Sequence, residues 1–386
     1  MNNNFLTKQY KNSKKFKINH NYLKKQFFNS KEIFKNINLL LRRTDFTLGK
    51  DVDVFEKNFA KLIGTSFAIG VGSGTDALFL SLKALSNKNK SEVIVPSFTF
   101  YATIGAIVTA GFKPVFVDID SDLNIDTSKI EEKINKKTAA ILPVHWAGKV
   151  CAMDQITKIG KKYKIPIIED ACHAVGATYN GQKAGSFGLS GCFSFHPLKN
   201  LNVWGDGGII CTNNKKFAKK IILLRNHGLV SRDKCVIYGF NSRLDSIQAI
   251  IANYFLKNKI KIITKKRISN AKYLTKKLLD IKQISIPQPF VAESKQVYHL
   301  FHILTNQQKR LQQFLQKNNI DAKIHYPIPC HLQKPARVFG YKKGDYPTTE
   351  LISKKIISLP IHEFITKKDM DYMIKKIIFF LKNEKN

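Results

Sequence analysis

The chain has 386 residues, 64 Lys and Arg against 28 Asp and Glu, and a formal net charge of +36, enough length for one large domain and a smaller one, each with its own core. The excess is nearly all lysine and is spread along the chain among abundant Ile and Asn, so nucleic acid is disfavoured as the main partner, while a positive field that draws anionic ligands toward a cleft is not. Six widely spaced cysteines without a C-x-x-C pair indicate neither a metal (zinc) site nor a disulfide framework, and no apolar run suits a signal peptide or a membrane span, so a soluble protein of the reducing cytoplasm is expected.

In chain order, residues 1–40 read as a basic, mobile amino-terminal arm. Short apolar runs then alternate with helical patterns. The runs Phe67–Val71, Glu92–Pro96, Pro114–Asp118, Ala139–His145, Ile165–Asp170, Cys192–Phe195 and Gly208–Cys211 are expected strands, and Asp76–Leu85, Thr103–Ala110, Met153–Tyr163 and Lys216–Asn226 expected helices. That alternation predicts an α/β domain, over residues 41–260, whose mostly parallel sheet is covered on both faces. Long helices at Leu244–Lys259 and Lys265–Leu279 and a Pro- and Gln-rich run, Ile284–Phe290, lead into a smaller α+β domain, residues 261–386. It holds strand Tyr298–Leu304, helix Lys309–Asn318 and strand Ala322–His325.

Ligands of such sheets bind beyond the carboxyl ends of the strands, where several polar residues gather. Gly70-Val71-Gly72-Ser73-Gly74-Thr75-Asp76 closes a strand and opens a helix. Its amides and hydroxyls can surround a phosphate, or Ser73 or Thr75 can simply cap the helix. It is no dinucleotide fingerprint, because Thr75 stands where G-x-G-x-x-G requires glycine. Asp170 ends a buried run, so it is either an acid satisfied by the next helix or a carboxylate that keeps a pyridine nitrogen protonated. His173, three residues on, is either structural or beside that ring. Lys199 is one lysine among many, but Ser194-Phe195-His196-Pro197 before it and Gly205-Asp206-Gly207-Gly208 after it set it on a constrained loop. A desolvated amine beside a cationic ring loses basicity and becomes a nucleophile. Phe100, after Pro96-Ser97-Phe98-Thr99, can stack on a flat cofactor or pack in the core.

Together, Ser73-Gly74-Thr75-Asp76-Ala77-Leu78, Pro96-Ser97-Phe98-Thr99-Phe100, Lys113-Pro114-Val115-Phe116-Val117-Asp118, Glu169-Asp170-Ala171, Ser194-Phe195-His196-Pro197-Leu198-Lys199-Asn200-Leu201, Gly205-Asp206-Gly207-Gly208 and Gly239-Phe240-Asn241-Ser242-Arg243-Leu244-Asp245 resemble the DegT/StrS family. The resemblance runs from about Asp45 to Pro360. It implies a fold-type-I transferase, with a seven-stranded sheet in the large domain, that uses pyridoxal 5'-phosphate to aminate nucleotide-linked keto sugars for polysaccharide or amino-sugar biosynthesis.

The resemblance also implies roles. Lys199 would be the Schiff-base lysine and Asp170 the partner of the pyridine nitrogen. Phe100 would stack on the ring, His173 would lie beside it, and Gly74, Thr75 and Ser194 would cradle the phosphate. Asn241, with Arg243, would reach the phosphate of a neighbouring subunit, so the active unit would be a homodimer. His331, in His325-Tyr326-Pro327-Ile328-Pro329-Cys330-His331, would face the substrate together with His325 and Tyr326. The implied reaction is a ping-pong transfer from an amino acid, by family habit glutamate, with Lys199 moving the proton in both halves. Family members in which histidine replaces the lysine are dehydratases; here the lysine is present, and His196 sits three positions early. The motifs lean toward a 3-keto rather than a 4-keto hexose, and a cyclitol acceptor such as scyllo-inosose stays open. A regulatory protein that holds polyanions on the same fold is the competing reading, and it has no use for a Schiff-base lysine.

Overall fold

The computed structural model describes residues 16–85, 89–287 and 294–383. Seven strands build the central sheet: β1 (Phe67–Val71), β2 (Glu92–Pro96), β3 (Lys113–Val117), β4 (Thr138–Ile141), β5 (Ile168–Asp170), β6 (Ser190–Ser194) and β7 (Gly208–Thr212). The strands β3, β2 and β4 pair in parallel, as do β5 and β6. Parallel bridges Ile141–Ile167 and Val144–Asp170 join the two groups. The spatial order is therefore β3-β2-β4-β5-β6-β7-β1, with β7 antiparallel to both neighbours.

Every position of β4, β5, β6 and β7 is buried, which is why these segments read as apolar runs rather than alternating ones. Their alternation serves two cores instead. Phe193, Phe195 and Ile209 face one layer, built largely from α2 (Lys50–Ile63) and α7 (Ser246–Asn258), whereas Cys192 and Ile210 face the other, which includes α3 (Gly74–Lys83) and α6 (Lys215–Leu224).

Helix α8 (Ile260–Leu278) follows α7 after one non-helical residue, Lys259, and carries the chain into a separate apolar cluster with β8 (Phe301–Leu304), β9 (Ile356–Leu359), α9 (Gln308–Lys317) and α10 (Lys367–Asn383). The expected strand Ala322–His325 does not form: only Lys323 pairs, with Ser358. The last residues of the Pro- and Gln-rich run lie outside the described residues.

The described part of the basic terminus is not a free arm. Ile18 pairs with Ile320, Tyr22 is buried, and Ile33 and Leu40 of α1 (Lys31–Arg43) are buried in the same core as α2 and α7.

Candidate active site

The site forms at the carboxyl ends of β4, β5 and β6, where β7 runs back between β6 and β1. Gly208 opens β7 opposite Ser194 on one side and Val71 on the other. A Cβ on Gly208 would come within 2.2 Å of the Ser73 carbonyl oxygen, so glycine there lets the loop before α3 descend onto the strand. Gly74, the first residue of α3, makes a second close approach: its Cβ would lie 2.5 Å from Ser194 Cβ and 3.0 Å from Cys172 Sγ. Ser73 caps the helix by accepting from the Asp76 amide at 3.0 Å, while the amides of Gly74 and Thr75 belong to the first turn, whose N–H groups find no acceptor within the helix. Ser194 and the positive end of α3 thus form one cradle for an anion.

Asp170 emerges beside it. Thr103 Oγ1 donates to Asp170 Oδ2 at 2.8 Å, and the Cys172 amide donates to Oδ1 at 3.1 Å. Phe100 stands just before the helix α4 (Tyr101–Thr109) that carries Thr103, and its ring lies 5.5 Å from that of Tyr326. Tyr326 in turn is edge-on to Trp146 at 5.5 Å, and Trp146 contacts His173, whose ring lies 4.2 Å from that of His299.

Lys199 sits half-buried on the loop between β6 and β7. A turn from the Lys199 amide to the His196 carbonyl (2.8 Å) and a closing bond from the Val203 amide to the Phe195 carbonyl (2.9 Å) brace that loop. Burial lowers the amine's pKa, opposed by the negative charge of Cys172 when ionised and of Asp170. Burial first, and the Lys199 charge second, holds His173 far below the usual histidine range. His299 and His325 are lowered in the same way, each mainly by burial. The site therefore presents a weakened amine among neutral imidazoles, with Asp170 as its carboxylate.

Several sequence-predicted residues are brought together here: Gly74, Ser194, Asp170, His173 and Lys199, with Phe100 and Tyr326 at the rim. His325 turns Nδ1 to Ser358 Oγ at 2.8 Å, and Thr75 is exposed on the first turn of α3. Asn241 is exposed and Arg243 donates to Asn226 Oδ1 at 3.1 Å. Between them Ser242 bonds this chain's own glycine turn before α3, accepting from the Gly72 amide (3.2 Å) and donating to Asp76 (2.9 Å). His331 is not in the cluster. It is fully buried, with Nε2 on Glu350 at 3.1 Å and its ring against Tyr346, because the turn after Pro329 anchors Cys330 to the Ser97 and Thr99 carbonyls and directs the next side chain inward. The sequence reading missed Thr103, Trp146 and His299, which the structure places beside these residues.

The model of the DegT/DnrJ/EryC1/StrS aminotransferase family matches residues 28–378. The chain belongs to that family. A dTDP-3-amino-3,6-dideoxy-alpha-D-galactopyranose transaminase of Aneurinibacillus thermoaerophilus is 39% identical over 88% of this chain and 93% of its own. The Streptomyces venezuelae protein DesV, solved in complex with a ketimine intermediate, superposes with a TM-score of 0.90 at 30% identity, covering 95% of this chain and 99% of that one. NtdA of Bacillus subtilis, solved with bound pyridoxamine phosphate, gives a TM-score of 0.88 at 31% identity over 96% and 87%. This member is thus an α/β aminotransferase whose cofactor is pyridoxal phosphate, and the cradle that a Cβ at Gly74 would fill, the carboxylate of Asp170 and the weakened amine of Lys199 fit that group.

Proposed function

We propose that this chain moves the amino group of glutamate to a keto sugar, a nucleotide-linked 3-keto deoxyhexose first among the candidates, as a homodimer in the cytoplasm. The observation that carries the reading is the convergence of Lys199 and Asp170 on the cradle formed by Gly74 and Ser194. The 3-amino product in the name of the Aneurinibacillus relative supports the position on the sugar.

When bound, pyridoxal phosphate supplies an electron sink for the charge that develops at the donor's α-carbon. The chain's own residues do the rest. Gly74, Thr75 and Ser194 would hold the phosphate, with the α3 amino end favouring its charge. Asp170, kept in one orientation by Thr103 and the Cys172 amide, holds the ring nitrogen protonated. Phe100 would cover one face of the ring, and His173 would lie beside it. Lys199, as a free amine, would take the proton from the donor's α-carbon and hold it at Nζ for return, and would work in the opposite sense for the acceptor. Neutral His299, His325 and Tyr326 line the acceptor side and can bond sugar hydroxyls without a charge that would compete with Asp170. Asn241 and Arg243, outside this chain's own cluster, would complete the phosphate site of a second subunit.

The test is to load the protein with pyridoxal phosphate, supply glutamate, and offer 3-keto and 4-keto nucleotide hexoses and scyllo-inosose in parallel. Formation of 2-oxoglutarate and an amino sugar with the 3-keto hexose supports the reading. Turnover confined to the 4-keto hexose or the cyclitol would overturn the acceptor.

A further inference from the structure

Residues 16–26 precede the span that the family model matches, yet they touch the peptide of Lys199. The Tyr22 hydroxyl lies 3.3 Å from the Lys199 carbonyl oxygen and 3.4 Å from that of Leu198, so its proton is shared between them. Asn202 Nδ2 donates to the same Lys199 oxygen at 3.0 Å and to Gln26 Oε1 at 2.9 Å. The carbonyl end of the lysine's peptide is therefore held directly by Tyr22 and, through Asn202, by Gln26.

The other side of the segment is fixed to the small domain. The Ile18 amide donates to the Asn319 carbonyl (3.0 Å), the Asp321 amide to that of Ile18 (2.9 Å), and His362 Nε2 to that of Asn19 (3.0 Å). The Tyr22 ring stacks on His362 with centroids 4.9 Å apart and lies 5.3 Å from the Arg267 guanidinium. Arg267 is itself buried and donates to the carbonyls of Tyr298, His299 and Ile361. One side chain, Tyr22, thus joins the backbone of Lys199 to the group that fixes the backbone of His299.

We propose that residues 16–26 form a strap in which Tyr22 and Gln26 are positioning residues for Lys199. The inference rests on the reading of Lys199 as the cofactor-bearing lysine. That amine must work at two places, on the cofactor and at the donor's α-carbon, from a flexible four-carbon stem. Clamping the peptide restricts the amine to the arc that serves both, and a misplacement of about 1 Å at a reacting group costs on the order of a hundredfold in rate.

The experiment compares wild type, Tyr22→Phe and Gln26→Ala, each loaded with pyridoxal phosphate, by kcat, KM for glutamate, and the pH midpoint of the visible absorption band. Tyr22→Phe keeps the ring on His362 and Arg267 and removes only the hydroxyl. Gln26 is half-buried and also donates to Glu363 Oε1 at 3.3 Å, so Gln26→Ala tests the second hold, with Tm read beside kcat, should the first variant fail to fold. The expected result is a kcat lower by about threefold to tenfold in each, KM within about twofold, and a band midpoint displaced by about 0.3 pH unit or more. A role limited to stability would lower Tm while kcat and midpoint stay at wild-type values, and that result overturns the strap. Absence of a visible band in the wild type would instead overturn the reading of Lys199 on which it rests.

Discussion

Thr103 Oγ1 reaches Asp170 Oδ2 at 2.8 Å from a helix that begins just after Phe100, so one helical turn both presents an aromatic ring to the site and orients its carboxylate. Thr99 Oγ1, 2.9 Å from Thr103 Oγ1, extends the chain of hydroxyls. On the proposed role of Asp170 as partner of the ring nitrogen, Asp170→Asn should lower kcat by about 10²-fold to 10³-fold, the cost typical of removing a preorganised electrostatic partner. Thr103→Val leaves the charge and removes one hydrogen bond, so a loss of about threefold to tenfold is expected. Steady-state kinetics with saturating glutamate checks both, and equal losses would contradict the division of roles.

Gly74→Ala places a methyl 2.5 Å from Ser194 Cβ, where neither backbone can retreat without moving β6 or α3. The expected cost in the apoprotein is about 1–3 kcal/mol from overpacking. Pyridoxal phosphate affinity should fall as well, because the methyl fills the space between the helix end and Ser194. Thermal unfolding and a cofactor titration measure the two effects separately; unchanged affinity would remove Gly74 from the phosphate site.

Burial pushes His302 down to about 3, His362 to about 3 and His20 to about 4, from an ordinary 6.5. The folded protein keeps them neutral while the unfolded chain protonates near 6.5. Below that pH the unfolded state binds more protons, so stability falls as pH drops from about 6.5 toward 4, by up to about 1.4 kcal/mol per pH unit for each group. Above 6.5 their contribution is constant. His302 Nε2 is buried without a partner while its ring stacks on Trp146 at 5.9 Å, so His302→Asn should flatten the decline in Tm between pH 6.5 and 5. An unaltered slope would assign the decline to other groups.

Strands that are short apolar runs closed by a glycine turn or by Pro-Ser were legible at their observed bounds, as Phe67–Val71 and Glu92–Pro96 show. The antiparallel course of β7 was not, because a fully buried strand carries no mark of its direction; only the short glycine-rich return Gly205–Gly208 hints at it. Ala322–His325 has strand composition, but its backbone pairs with β9 only at Lys323, and His325 returns to the same strand through its side chain, on the Ser358 hydroxyl, rather than through its peptide. Lys199, Asp170 and the Gly74 turn were legible because each lies at a strand end with local punctuation. Thr103 had a weak signal, four residues after Thr99 at the start of an expected helix. Tyr22, Trp146 and His299 had none, since each acts through partners far along the chain: Tyr22 meets Lys199 across 177 residues. His331 shows the converse, a residue that fits the motif and is turned inward onto Glu350 by its own loop.

The most direct measurement is the visible absorption spectrum of the purified protein with pyridoxal phosphate, wild type beside Lys199→Ala, before and after glutamate. If Lys199 is, as proposed, both the attachment point and the proton carrier, the wild type shows a yellow band that glutamate bleaches with release of 2-oxoglutarate, and the variant keeps less than a few per cent of wild-type turnover. A wild-type band that glutamate leaves untouched would contradict glutamate as the donor. A variant that still turns over at a few per cent of wild type or more would contradict the central role of Lys199.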